Sequence, residues 1–121
     1  MILGLDHVQL AMPRGAEEAA RAFYGGLLGL VELPKPAPLA ARGGLWFSCG
    51  ALQLHLGVEP DFRPARKAHP ALLVSGYDEL LAELRRAEAP VREDDALEGV
   101  TRAFTEDPFG NRIELVAAEG T

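Results

Sequence analysis

Glu114 lies in the stretch Thr105-Glu106-Asp107-Pro108-Phe109-Gly110-Asn111-Arg112-Ile113-Glu114-Leu115-Val116. Asp-Pro followed by Gly-Asn is turn chemistry, and the residues after it alternate at period two. Glu114 is therefore expected in mid-strand, with Ile113 and Leu115 facing the other way. On a half-buried sheet a carboxylate requires a cation, a proton or a donor beside it. Histidines are the most economical partners, and the chain has three: His7, His55 and His69. His7 and His69 are 62 residues apart, while Gln53 and Glu114 are 61 apart, so polar residues recur as if one unit were used twice.

The elements that must position these residues also come in two rounds. Ile2 to Met12 reads as a strand with His7 in its middle, and Pro13 and Gly15 stop it. Ala16 to Leu30 reads as a helix, with Ala19, Phe23 and Leu27 on its core face and Glu17 and Glu18 favouring its dipole. Val31 to Leu33 is a short strand. Pro34, Pro36 and Pro38 predict a stiff extended loop over Leu33 to Arg42 rather than a helix. Strands at Gly44 to Ser48 and Ala51 to Val58 are joined by a turn around Cys49-Gly50. Glu59 to Ala68 connects the halves. A strand from His69 to Ser75, a helix from Tyr77 to Glu88, strands at Val91 to Glu93 and Val100 to Thr105, and the strand after the Asp107 turn complete the second round.

With 121 residues the chain suits one domain able to bury a core, and 48% hydrophobic with 25% charged residues is an ordinary globular balance. A formal net charge of -6 argues against nucleic acid or an anionic membrane as a partner. No apolar run is long enough to span a bilayer, and the N-terminus lacks the layout of a signal peptide, so a cytoplasmic location is expected. The single cysteine, Cys49, excludes an intrachain disulfide and a thiolate zinc cluster.

Four segments carry a resemblance: Leu5-Asp6-His7-Val8, Phe23-Tyr24 to Leu30, His69 at the start of the second half, and Asp107-Pro108-Phe109-Gly110-Asn111-Arg112-Ile113-Glu114. Through them the whole chain resembles the vicinal oxygen chelate superfamily of glyoxalase I, fosfomycin- and bleomycin-resistance proteins, methylmalonyl-CoA epimerase and extradiol dioxygenases. The resemblance implies an α+β fold of two tandem βαβββ modules, each a curled, partly closed mixed sheet with helices on the outer face. Module one would span about 1–58, the connection 59–68 and module two about 69–118 of a single domain. It also implies a divalent metal held by His7, Gln53, His69 and Glu114, since two imidazoles and a carboxylate suit Zn, Ni, Mn or Fe and leave positions open for substrate. Glyoxalase I would be expected to carry Glu at the place of Gln53, whereas the epimerase resembles this chain there. His55 faces the same side as Gln53 by alternation and either replaces it as ligand or touches substrate. Arg102 and Phe104 share a face that the family geometry makes the concave one; Trp46 shares a face with Ser48 and lines the pocket or packs the core.

Three function classes follow from the resemblance. The first is a glyoxalase-like lyase, isomerase or transferase acting on a small oxygenated metabolite or thiol adduct, with Glu114 as general base. A metal-free pocket that sequesters a small molecule, like the bleomycin-resistance proteins, is the second. The third is an Fe(II) extradiol dioxygenase. A homodimer is expected, with His7 and Gln53 of one chain facing His69 and Glu114 of the other; a monomer whose two modules build one site is the alternative.

Overall fold

Alternation of apolar and polar residues builds eight strands in two four-stranded sheets among residues 1–118, which the computed structural model describes. The chain divides into two compact units, Met1–Arg63 and Pro64–Thr121.

In the first unit β1 (His7–Met12) is followed by α1 (Glu17–Ala20), which runs directly into a π-helical stretch (Arg21–Leu27). Then come β2 (Val31–Leu33), α2 (Ala37–Ala40), β3 (Leu45–Cys49) and β4 (Leu52–Val58). The sheet order is β1-β4-β3-β2, with β1 parallel to β4 and the other pairs antiparallel. Strand parity sorts the two faces. Leu45, Phe47, Leu54, Leu56 and Met12 are buried on one, together with Ala20, Phe23 and Tyr24 of the helical segment. The other face carries His7, Gln9, Trp46, Ser48, Gln53 and His55, as the register requires.

Four expectations for this unit need correction. The first strand begins at His7, not Ile2: its parallel register starts at His7–Gln53, and residues before Asp6 would fall opposite the Gly50-Ala51 turn; Ile2, Leu3 and Leu5 are exposed ahead of it. The helix widens after Ala20. The Leu28 N–H reaches the Phe23 carbonyl five residues back at 2.9 Å, and the poor helix formers Gly25 and Gly26 lie inside this stretch, so Ala20 rather than Ala19 faces the core. The proline-rich loop contains one helical turn. Pro38 is tolerated there because a first-turn residue has no intrahelical acceptor for an N–H. The β3–β4 turn is Gly50-Ala51, one residue later than expected, with Gly50 at φ 58.

The second unit repeats the plan with β5 (Ala71–Val74), α3 (Tyr77–Arg86), β6 (Val91–Asp94), β7 (Arg102–Glu106) and β8 (Arg112–Ala117). Its order is β5-β8-β7-β6, again with the first and last strands parallel. α3 starts after Gly76 at φ 62, carries Asp78 and Glu79 in its first turn and Arg85 and Arg86 in its last, and so complements its dipole at both ends. It packs on the sheet through Tyr77, Leu81 and Leu84, while Ala103, Thr105, Ile113 and Leu115 are buried from the strands. The strand expected from His69 starts only at Ala71. Pro70 cannot donate to the ladder, although its carbonyl accepts the Glu114 N–H at 3.0 Å. β7 lies later than the expected Val100 to Thr105. Two βαβββ units in tandem are thus present, each with a mixed, open-edged sheet.

The Asp107 turn sets where β8 begins. The Asp107 carboxylate accepts the backbone N–H groups of Phe109 and Asn111 at 2.9 Å each and the Asn111 side-chain amide at 2.8 Å. Gly110, at φ 91, donates its N–H to the Asp107 carbonyl. Asp107 and Asn111 are each only 5% exposed. Replacing Asp107 by Ala strands these buried donors, and we expect a loss of about 2–4 kcal/mol in urea unfolding.

Candidate functional site

On the polar face of the first unit, parallel pairing places His7 beside Gln53 and Gln9 beside His55, while β3 sets Trp46 opposite His55. Three rings stack in a row. His55 lies 4.2 Å from His7 and 4.3 Å from Trp46, with interplanar angles of 16° and 6°. This stack leaves His55 5% exposed, and burial holds its pKa below the ordinary imidazole value, reinforced by the neighbouring His7 and opposed by Asp6. The His55 Nε2 is 2.9 Å from the Gln53 Oε1, so the amide oxygen already accepts a bond within the unit. His7 directs Nδ1 to the Asp6 carboxylate at 2.9 Å and keeps Nε2 free of that contact. A cavity of about 610 Å³ opens on this face, with His7, Gln53, His55 and Trp46 in its wall.

On the equivalent face of the second unit Glu114 lies between Ala71 of β5 and Phe104 of β7. Its Oε1 is 3.0 Å from His69 Nε2, and its Oε2 accepts a bond from Arg102 Nη1 at 3.2 Å. Arg102 is shared: its Nη2 is 3.5 Å from the Asp94 carboxylate, and its buried Nε has no partner among the described residues. With side chains 12%, 18% and 22% exposed, Glu114, Arg102 and His69 form a half-sheltered ionic group. Phe104 stands edge-on to His69 at 5.5 Å and is approached by the guanidinium groups of Arg92, Arg102 and Arg112 at 4.7, 5.5 and 5.8 Å. Asp94 and Arg92 escaped the sequence reading because they became face-mates only through the β6–β7 register, which pairs Arg92 with Phe104 and Asp94 with Arg102. The ladder equivalent of His7 is Ala71, the partner of Glu114. His69 lies two residues before it, so the two histidines do not hold matching strand positions as the spacing had predicted.

The two histidines share one feature all the same. His69 directs Nδ1 to the Lys67 carbonyl at 2.8 Å, as His7 does to Asp6, so in each ring Nδ1 is the donor and Nε2 the nitrogen left for another partner. Among the described residues no three His, Cys, Asp or Glu side chains gather as a metal-binding group. Each unit by itself presents a pair.

A glyoxalase family protein from Bacillus anthracis is 50% identical to this chain, with 98% of each chain covered and a TM-score of 0.93. The chain belongs to the glyoxalase family. That family lies within the vicinal oxygen chelate superfamily. Two further glyoxalase-fold structures show the likeness at the level of the backbone. The fosfomycin resistance protein FosX from Listeria monocytogenes is 17% identical, with 99% of this chain and 97% of that one covered and a TM-score of 0.78. Lactoylglutathione lyase from Agrobacterium tumefaciens is 20% identical, with 98% and 97% covered and a TM-score of 0.68. No family model and no curated protein sequence matches the chain. No helix among the described residues is long and apolar enough to cross a membrane.

The stack makes a prediction for the glyoxalase-family pocket. In metal-free protein, an NMR titration should show His55 protonating below the ordinary imidazole value of 6.5. Because the folded pKa is the lower one, the unfolded chain binds the extra proton first. Stability contributed by the stack is therefore fully present above 6.5 and declines as pH falls below it.

Proposed function

We propose that this glyoxalase-family protein is a divalent-metal-dependent lyase, isomerase or transferase acting on a small oxygenated metabolite or thiol adduct. The observation that carries the reading is the orientation of the two histidines. Metal-ligating imidazoles characteristically give their second ring N–H to a carboxylate or a backbone carbonyl, and His7 and His69 do this to Asp6 and Lys67. With Nδ1–H so committed, a neutral His69 turns an Nε2 lone pair toward the Glu114 oxygen 3.0 Å away. Two acceptors at that distance require a proton or a cation between them, which is the environment a divalent ion satisfies.

In this reading His7, Gln53, His69 and Glu114 hold the ion. Gln53 contributes a neutral oxygen, which leaves more positive charge on the site than a second carboxylate would. When bound, the ion acts as a Lewis acid on a substrate oxygen that gains negative charge. Glu114 is the base that removes a carbon-bound proton, and Arg102 steadies its second oxygen, fixing the direction in which Oε1 faces. Trp46, His55 and Phe104 are substrate-contacting walls. The protein works in this reading as a homodimer in the cytoplasm, on a small-molecule substrate.

Calorimetric titration of chelator-stripped protein with Mn, Ni, Zn and anaerobic Fe(II) tests the proposal. We expect one ion per set of four ligands, with affinity reduced at least about 100-fold in Glu114→Gln and about 10–100-fold in Asp6→Asn, which alters only the support of His7. Absence of binding for every ion overturns the metal reading and leaves a pocket that sequesters a small molecule.

A further inference from the structure

The protein carries a net charge of -6, yet the cavity of the first unit has two cations in its wall, Lys35 and Arg42, against one acid, Asp6. Asp6 is engaged by His7. Lys35 sits toward the opposite end from the His7–Gln53 pair, and Arg42 belongs to the loop that packs there. A Cβ on Gly44 would run into the Leu56 carbonyl and approach Gly57, and one on Gly43 would touch Val58, so the loop segment carrying Arg42 lies against the far end of β4. Lys35 is tied to the same place by a hydrogen bond from Nζ to the Gly43 carbonyl, a contact that does not neutralise its charge. No ion pair engages Arg42 or Lys35 among the described residues; the Glu17 carboxylate accepts the Gly44 N–H and attracts Lys35 from a distance without pairing with it.

Between the two ends lie Trp46 and Gln9; the ring faces of His55 are taken by His7 on one side and Trp46 on the other, so Trp46 is the ring available there. Gly57 leaves the room that Gln9 occupies, since a Cβ there would come within 2.6 Å of its amide. Four residue steps along β4 lead from Gln53 to Gly57, a length of about 13 Å at the rise of a strand. The cavity volume of about 610 Å³ is that of a small-molecule site.

We infer that this cavity selects an elongated carboxylate with a planar unsaturated segment. Its carboxylate is received by Lys35 and Arg42, its planar part lies against Trp46, and its reacting end reaches His7 and Gln53. The inference rests on the proposed function for the assignment of that reacting end. A carboxylate suits the site better than a phosphate, because phosphate sites draw on free backbone N–H groups and those of this loop are spent. The N–H groups of Arg42, Gly43 and Gly44 bond to Leu39, Ala40 and Glu17.

Trp46 is the only tryptophan, so its indole N–H resonance reports the cavity alone. The probes are trans-cinnamate and its neutral isostere cinnamamide, titrated into chelator-treated protein and into the zinc-treated form. We expect cinnamate to bind about tenfold more tightly than the amide at low salt, and the preference to fall below about threefold at ~0.5 M NaCl. The Lys35→Met/Arg42→Met double variant should lose the preference while keeping its affinity for cinnamamide, and Lys35→Arg should retain it. Equal affinity for acid and amide, a preference that survives the double variant, or no saturable binding of either probe by ~20 mM overturns the inference. Acid preference without uptake of any metal leaves the anion pocket standing and removes the metal reading; metal uptake without acid preference does the reverse.

Discussion

Parallel pairing between the first and last strands of each unit is the constraint on which the rest depends. It aligns His7 with Gln53 in one sheet and Ala71 with Glu114 in the other. Because side chains alternate, a slip of one residue would drive Glu114 into the core and bring Ile113 or Leu115 to the polar face. Burial forbids that slip. Leu54 and Leu56 in β4, and Ile113 and Leu115 in β8, are at most 1% exposed, so the apolar side of each strand fixes where the polar side must point. The Asp107 turn adds a second anchor, because its carboxylate organises the backbone just before β8 and leaves no freedom in where that strand starts.

Holding Glu114 in a half-sheltered place has an electrostatic cost that the second unit meets with its own residues. A lone carboxylate there would be strongly disfavoured, and one opposite charge reduces that penalty without removing it. Arg102 is divided between Glu114 and Asp94, so the guanidinium is itself balanced on two sides. Such an arrangement restrains the direction of the carboxylate more than it stabilises the fold, since buried ion pairs contribute orientation more reliably than net free energy. For the base that Glu114 is proposed to be, orientation would be the useful quantity.

Much of this was legible in the sequence, and the failures have a common cause. Glu114 between Ile113 and Leu115 announced a strand with a polar side, and the Asp107 turn announced its start. Counting put Arg102 and Phe104 on one face, and the family resemblance made that face the one Glu114 is on. What counting could not supply was pairing: Asp94 and Arg92 belong to the site only because β6 pairs with β7 in one register, and that register is set across residues 95–101 with no regular pattern of their own. The missing start of β1 is the same problem, since whether Ile2 to Asp6 extends the strand depends on where β4 begins. Pro38 misled for a local reason: proline excludes a helix interior and not a first turn.

The two units share a scaffold, and they have diverged in the chemistry laid on it. At ladder-equivalent places Gln53 answers to Glu114, Ser48 to Phe104, Trp46 to Arg102 and His55 to Val116. Where the first unit stacks rings, the second places a shared guanidinium; where the second has a carboxylate, the first has an amide. The first face is therefore a row of stacked rings open to a cavity, with Lys35 and Arg42 in its wall. The second is ionic at its centre. A duplicated sheet that keeps its register can vary either face independently, because the residues that hold the register are all on the other side. In the function proposed above, that separation would let one half be shaped for recognition while the other keeps the groups suited to proton transfer.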